Sequence, residues 1–240
     1  MSLLQYHNQF KFANQELYWL HLDSEEAYNN NNNPAKTKRY NLLQKNGWIN
    51  SKFTYKFNSH GFRCDEFSDA PSAMFLGCSF TLGVGLPTES TWPYIVAQHL
   101  NYNCVNLGVG GGSNDLAFRL AYSWINKINP KIIFLLSPFK ERLEVLNKHD
   151  PDTVYNGYVP MDNNNDPFYT KWLLTDENSM LHQEKNIRAI ANIASEQNIK
   201  FVMLKAEDAL PIYQVDFARD LRHPGTQSNQ NLANKFIELI

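Results

Sequence analysis

Cysteine is scarce in this 240-residue chain. There are three, Cys64, Cys78 and Cys104, an odd number with no close pairing and no Cys-x-x-Cys. That argues against both a disulfide framework and a zinc site, and leaves the three as small buried apolar residues. The seven histidines are scattered, none at the spacing a catalytic metal needs, so neither a metal nor another cofactor is expected. No apolar run is long enough to span a membrane. Residues 1–20 mix Gln, His, Asn and Lys through their apolar positions and lack the continuous apolar core of a signal peptide. The expectation is a protein with no membrane span and no signal peptide, cytoplasmic or otherwise soluble. An excess of positive charge is missing as well. With 22 Lys and Arg against 24 Asp and Glu, the net charge of -2 gives nucleic acid no electrostatic footprint.

The length suits one α/β domain with elaborations, large enough to bury a core without disulfides or metals. Residues 1–70 have no clean period, are rich in aromatics, and are broken by the asparagine row 29–33. That row, like the cluster at 163–165, reads as loop. This part is expected to form an N-terminal layer packed on a main domain, residues 71–240. From Ala73 the pattern changes. Apolar runs at 74–77, 104–107, 132–136 and 201–204 alternate with helical stretches at about 90–100, 113–128 and 182–197, and a last helix spans 226–239. Such alternation implies parallel strands joined by crossover helices. In the clearest helix Leu116, Leu120, Trp124 and Ile128 recur every four residues, with Ser113 as N-cap and Asp115 in the first turn. Residues 138–181 break the rhythm, an irregular excursion that is either a wall over a site or an ordered surface segment.

Chemistry enters at two places. Gly77-Cys78-Ser79-Phe80-Thr81 follows the first apolar run, and Asp220-Leu221-Arg222-His223-Pro224-Gly225 precedes the last helix. A serine hydroxyl is a weak nucleophile unless an imidazole takes its proton and a third group fixes and stabilises that imidazole. Asp220 and His223, three apart, share a face if they lie in a helical turn, so Asp220 can hold Nδ1 while Nε2 points to Ser79. Each element also has a plain structural reading. A serine after a strand can be only a helix cap, and Asp-x-x-His can be a solvated pair before a helix.

Between them, Asn106-Leu107-Gly108-Val109-Gly110-Gly111-Gly112-Ser113 follows the second strand and opens the best helix, so its amides converge on a helix N-terminus. Such a nest attracts negative charge, either a cofactor phosphate or the oxyanion of acyl transfer. Gly-x-Gly-x-x-Gly fails at Ser113, the next strand ends in Ser-Pro rather than an acidic ribose ligand, and no Gly-x-x-x-x-Gly-Lys is present. The oxyanion reading leads over nucleotide binding and over a merely structural glycine turn. Gly-x-Ser-x-Gly is absent too, because Thr81 occupies its last position.

With those residues in place, the stretch from Ala73 to the C-terminus resembles the SGNH hydrolases, the GDSL esterase/lipase superfamily. Gly77-Cys78-Ser79-Phe80-Thr81-Leu82-Gly83 looks like the first block, Gly-Asp-Ser-x-Thr-x-Gly, and the segment 106–111 like the second; Asp220 and His223 match the last. The resemblance implies an α/β, three-layer, flavodoxin-like sandwich with a mostly parallel central sheet. It also implies Ser79 as nucleophile, and the amides of Ser79 and Gly111 as oxyanion donors. Asn58-Ser59-x-Gly61-Phe62-Arg63 looks like a stretch that precedes the first block in some bacterial and viral members, where a structural role is expected. Two positions depart from the family. Cys78 replaces the first block's Asp, and the third block, Gly-x-Asn-Asp, is missing: Phe139 of Ser137-Pro138-Phe139-Lys140-Glu141-Arg142 falls about where its Asn should be. Ser137, Asn114 or Arg142 are the candidates to stand in for that Asn.

The reading this supports is a serine esterase acting on small acyl groups, such as acetyl on a carbohydrate, through an acyl-enzyme. Arg142, Tyr155, Tyr158, Trp172 and Trp92 are candidates for contacting the substrate. The same triad could pass the acyl group to an acceptor, as an O-acetyltransferase, and a weakly catalytic binding module keeping the fold is a third reading. Partners are then a small-molecule or carbohydrate ester, not nucleic acid.

Overall fold

The computed structural model describes residues 8–20, 22–146, 155–158 and 175–240. Its centre is a four-stranded parallel sheet. β3 (Ser72–Leu76) lies between β4 (Asn103–Asn106) and β5 (Ile132–Ser137), and β8 (Lys200–Lys205) pairs with the far side of β5. Two short strands earlier in the chain, β1 (Glu16–Leu17) and β2 (Tyr55–Lys56), form a separate antiparallel pair. After β3 the chain adds β4 on one side and then crosses to β5 on the other. The strand order therefore reverses at β3, and loops leaving the carboxyl ends of β3, β4 and β5 meet over one crevice.

Helices cover both faces, which is why the strands read as nearly continuous apolar runs rather than alternating ones. Met74 and Leu76 of β3 and Ile133 and Leu135 of β5 face Leu120, Trp124 and Ile128 of α5 (Asn114–Ile128) and Ile187 and Ile190 of α6 (Asp176–Glu196). Residues of opposite parity, Phe75 and Phe134, face Trp92 and Val96 of α4 (Trp92–Leu100), Ala209 of α7 (Ala206–Tyr213) and Phe236 of α8 (Thr226–Glu238). The result is the three-layer α/β sandwich with a parallel centre. Among the described residues no helix is long and apolar enough to cross a membrane.

The elements differ from the sequence reading in five places. The asparagine row is partly helical: α1 (Glu25–Asn31) starts at Ser24, whose side chain accepts from Ala27 N at 3.1 Å, with Glu25 and Glu26 favouring the first turn. Burial of Tyr28, whose hydroxyl donates to Trp48 O at 3.0 Å, carries the helix through to Asn31. A second helix, α2 (Thr37–Lys45), follows in the same unpatterned segment. α6 begins at Asp176, ahead of the expected 182, and α7, which directly follows β8, has no counterpart in the sequence reading. The excursion at 138–181 contains a hairpin, β6 (Leu143–Leu146) antiparallel to β7 (Tyr155–Tyr158). Trp172 and the asparagines at 163–165 lie outside the described residues, and Tyr155 and Tyr158 are described only as the ends of β7.

Candidate active site

At the end of β3 the chain turns sharply into α3 (Ser79–Leu82), so Ser79 is the first helical residue rather than a cap. The turn is possible only because residue 77 is glycine. Gly77 has φ +153°, and a Cβ there would sit 2.1 Å from Thr81 Oγ1 and 2.8 Å from Leu136 O. Gly77→Ala is expected to lower stability by about 1–3 kcal/mol from overpacking against a fixed carbonyl. Its urea midpoint should fall at an unchanged m-value.

Ser79 itself is almost buried, 6% exposed, and its carbonyl accepts from Gly83 N at 3.0 Å and Val84 N at 3.2 Å. Among the described residues no acceptor takes the Ser79 N–H, an orphan donor of a helix's first turn. Cys78, just before it, is fully buried. Cys64 and Cys104, in contrast, are half-buried, and burial pushes the Cys64 thiol up to about 12, far from a reactive thiolate.

The glycine loop after β4 is tied to this turn. Val109 N donates to Gly77 O at 3.1 Å, and Asn106 bridges the two loops, its Nδ2 donating to Thr81 O at 2.8 Å and its Oδ1 accepting from Gly108 N at 2.9 Å. Gly108 packs so closely that a Cβ would lie 2.5 Å from Leu82 N. Gly111 is exposed and left-handed, φ +73°, and no acceptor takes its N–H among the described residues. Ser113 caps α5 by accepting from Leu116 N.

Asp220 and His223 meet, but not through a helical turn. Asp220 Oδ1 accepts from the backbone N–H of both Arg222 and His223 at 3.0 Å, an Asx-type turn with Leu221 left-handed at φ +55°. That wraps the backbone round the carboxylate and leaves Oδ2 facing His223 Nδ1, 2.5 Å away. Both residues are buried, at 4% and 5% exposure. The ring of His223 stands edge-on to Phe80, centroids 5.4 Å apart, so the imidazole packs on the residue next to Ser79. No hydrogen bond joins Ser79 Oγ to the ring among the described residues. In ligand-free sites such contacts are often long and tighten only around substrate.

Phe139, at the position of the missing Asn, packs edge-on against Phe80 at 6.0 Å and carries the Arg142 guanidinium over its ring at 5.2 Å. Arg142 reaches Gly112 O at 3.4 Å, on the rim of the glycine loop. The other two stand-ins for the missing donor are engaged elsewhere. The Ser137 hydroxyl donates to Asn114 Oδ1 at 2.7 Å, and Asn114 Nδ2 donates to Pro138 O at 2.9 Å. Both are buried in this pairing: the Ser137 hydroxyl has spent its one proton, while Asn114 Nδ2 uses one of its two hydrogens. Trp92, expected to be able to stack on a sugar, is fully buried, stacked on Phe236 at 4.4 Å.

No protein-family model matches the chain, and neither does any curated protein. Solved structures resemble it. One is a member of the lipolytic protein G-D-S-L family from Veillonella parvula, with 20% identity over 71% of this chain and 98% of that one and a TM-score of 0.38. Another is the acetyl xylan esterase Est2A from Butyrivibrio proteoclasticus, with 15% identity over 79% and 65% and a TM-score of 0.37. A third is a carbohydrate acetylesterase family member from Sinorhizobium meliloti, with 11% identity over 70% and 96% and a TM-score of 0.35.

A structural role is expected of the 58–63 segment that holds Arg63, and three further features of the site were not anticipated from sequence. The buried Arg63 donates to Leu82 O at 3.0 Å, Gly83 O at 2.6 Å and Leu86 O at 2.7 Å, fixing the chain just beyond α3. Burial pulls its guanidinium down to about 10. Arg219, next to Asp220, crosses to the N-terminal segment, where its Nε and Nη2 bond both oxygens of Asp23. Tyr55 joins the two halves: its hydroxyl donates to Asp23 and accepts from Gly85 N at 2.7 Å, and burial, then the Asp23 carboxylate, pushes its pKa far up.

The third feature is a polar network under the β6–β7 hairpin. Asp115 bonds His182 Nε2 at 2.7 Å and accepts from Glu144 N at 2.9 Å, while Arg119 clasps the Glu144 carboxylate with two 2.9 Å bonds. Burial pushes Glu144 up against the pull of Arg119. In Asp115 burial also pushes upward, but the His182 contact together with the hydrogen bonds from Glu144 N and Asn186 outweighs it and the pKa falls. A cavity of about 480 Å³ lies beside the edge strand β4, and none of Ser79, Gly111, Asp220 or His223 lines it. Among the described residues no group of three His, Cys, Asp or Glu side chains could hold a metal ion.

Proposed function

We propose that this protein is a carboxylic ester hydrolase with Ser79 as nucleophile, His223 as general base and acid, and Asp220 as the group that orients the imidazole. The observation that carries this is the buried Asp220–His223 pair, 2.5 Å between Oδ2 and Nδ1, packed on the residue adjoining a serine that opens a helix at the carboxyl end of β3. An Asp holding Nδ1 leaves Nε2 as the basic nitrogen, the tautomer a serine nucleophile needs.

In the first half-reaction Ser79 Oγ attacks the ester carbonyl carbon as His223 Nε2 takes the hydroxyl proton. The tetrahedral oxyanion is met by the N–H groups of Ser79 and Gly111, neither of which has an acceptor among the described residues. Collapse expels the alcohol, which takes the proton back from His223 and leaves the acyl group on Ser79. Water then attacks with the same base, releasing the acid and restoring the serine. The oxyanion hole has two backbone donors; Ser137 spends its only proton on Asn114, so the second Asn114 Nδ2 hydrogen and the Arg142 guanidinium on the rim are the side-chain groups left to assist. A lost donor typically costs on the order of 10²–10³ in rate, so turnover is expected to be slow.

Small acyl groups are favoured because Phe80 and Phe139 crowd the nucleophile's flank. An acetyl ester on a carbohydrate fits this size, with Arg142 at the rim as a contact for the alcohol portion; Tyr155 and Trp172 are further candidates from sequence alone. Labelling with a fluorophosphonate followed by peptide mass spectrometry tests the assignment. A single adduct on Ser79 is expected, and no adduct, or one elsewhere, would overturn it.

A further inference from the structure

The helices α1 and α2 and the turn that carries His223 bound a cavity of about 220 Å³. Its wall holds three cations, Lys36, Arg39 and Arg222, and one carboxylate, Asp220. That carboxylate is already committed, with Oδ2 on His223 and Oδ1 on two backbone N–H groups. Among the described residues none of the three cations has a carboxylate within ion-pair distance. Neutral amides position two of them instead: Lys36 Nζ donates to Asn30, and Arg39 Nη1 donates to Asn31 Oδ1 at 3.2 Å.

Like charges gathered round a concavity repel one another and leave an attraction for an anion, which guanidinium and ammonium donors answer with short, charge-assisted hydrogen bonds. The size narrows the ligand. The cavity is far roomier than a single water requires and smaller than the roughly 300–1,000 Å³ of pockets that enclose drug-sized molecules. We infer that this cavity binds a small oxyanion group, a phosphate, sulfate or carboxylate, carried on the substrate or free in solution. The site stands apart from the hydrolase reading. Only its substrate-borne form rests on that reading.

Isothermal titration of the full chain with sodium sulfate and sodium phosphate, at ionic strength held constant with sodium chloride, is the test. One saturable site is expected, weakened at least tenfold in Lys36→Gln/Arg39→Gln, whose exposed side chains can change without disturbing the core. Heats that do not saturate, or an affinity equal in wild type and variant, would overturn the proposal. A second arm compares KM for p-nitrophenyl acetate with that for the mono-p-nitrophenyl ester of succinic acid. A lower KM for the acidic ester that disappears in the variant assigns the anion to the substrate; equal KM values beside saturable sulfate binding assign it to a free ion. Saturable binding without any ester turnover would keep this site and sink the hydrolase reading.

Discussion

Ser79→Ala is expected to cut hydrolysis of p-nitrophenyl acetate by on the order of 10⁴–10⁶-fold in kcat, to the residual rate that binding and oxyanion donors alone supply. The size of the effect follows from what the hydroxyl does. Without it no acyl-enzyme forms, and water must attack in the ground-state geometry of a site built for a covalent intermediate. Folding should be untouched, because the Ser79 hydroxyl makes no hydrogen bond among the described residues and the methyl of alanine fits the same first-turn position. Circular dichroism and the urea midpoint check that point. KM should change little, since the backbone donors at Ser79 and Gly111 survive the substitution. Equal rates in wild type and variant would remove Ser79 from the mechanism and leave the binding-module reading in place.

What could be read from the sequence divides by range of interaction. The parallel sheet was legible because strands buried on both faces, such as the run 132–136, need no pattern beyond apolarity and length. α5 was legible because its stripe from Leu116 to Ile128 and its Ser113 cap are local signals. The Asp220–His223 contact was legible as a spacing, yet its means were not. A helical turn and an Asx turn with a left-handed Leu221 place the same two side chains together, and no local signal separates the two. α1 and α2 escaped because they are short, carry no apolar period and, in α1, end in asparagines, and burial of Tyr28 and Leu43 decides the matter from outside the segment. Ser137 and Asn114, both candidates for the missing donor, are brought by the fold within 2.7 Å of each other. The resemblance supplied positions for an oxyanion hole, but only packing reveals which donors are already taken.

A contact far beyond sequence reach joins residues 196 apart, Arg219 and Asp23. Both side chains are about 1% exposed. The guanidinium also lies over the rings of Phe53 at 3.8 Å and Trp19 at 4.1 Å. The N-terminal segment grips the same turn again at Phe217, through Asn46 Oδ1 on its N–H and Trp48 Nε1 on its carbonyl. Asp23→Ala would leave a buried cation without its partner and the Tyr55 hydroxyl without its acceptor. A cost of about 3–5 kcal/mol is expected, a large share of the roughly 5–15 kcal/mol by which a domain is stable. The pair's own worth is a different quantity. Taking two charges out of water offsets much of their attraction, so replacing both by apolar side chains is often close to neutral. Asp23→Ala/Arg219→Met is therefore expected to be more stable than Asp23→Ala alone, with the methionine filling the space between Phe53 and Trp19. A double-mutant cycle on urea-unfolding free energies reads the coupling directly. If the double variant were as unstable as the sum of the singles, an unpaired buried charge would not be the cause. The turn's grip on His223 would then have to come from Asn46 and Trp48 instead.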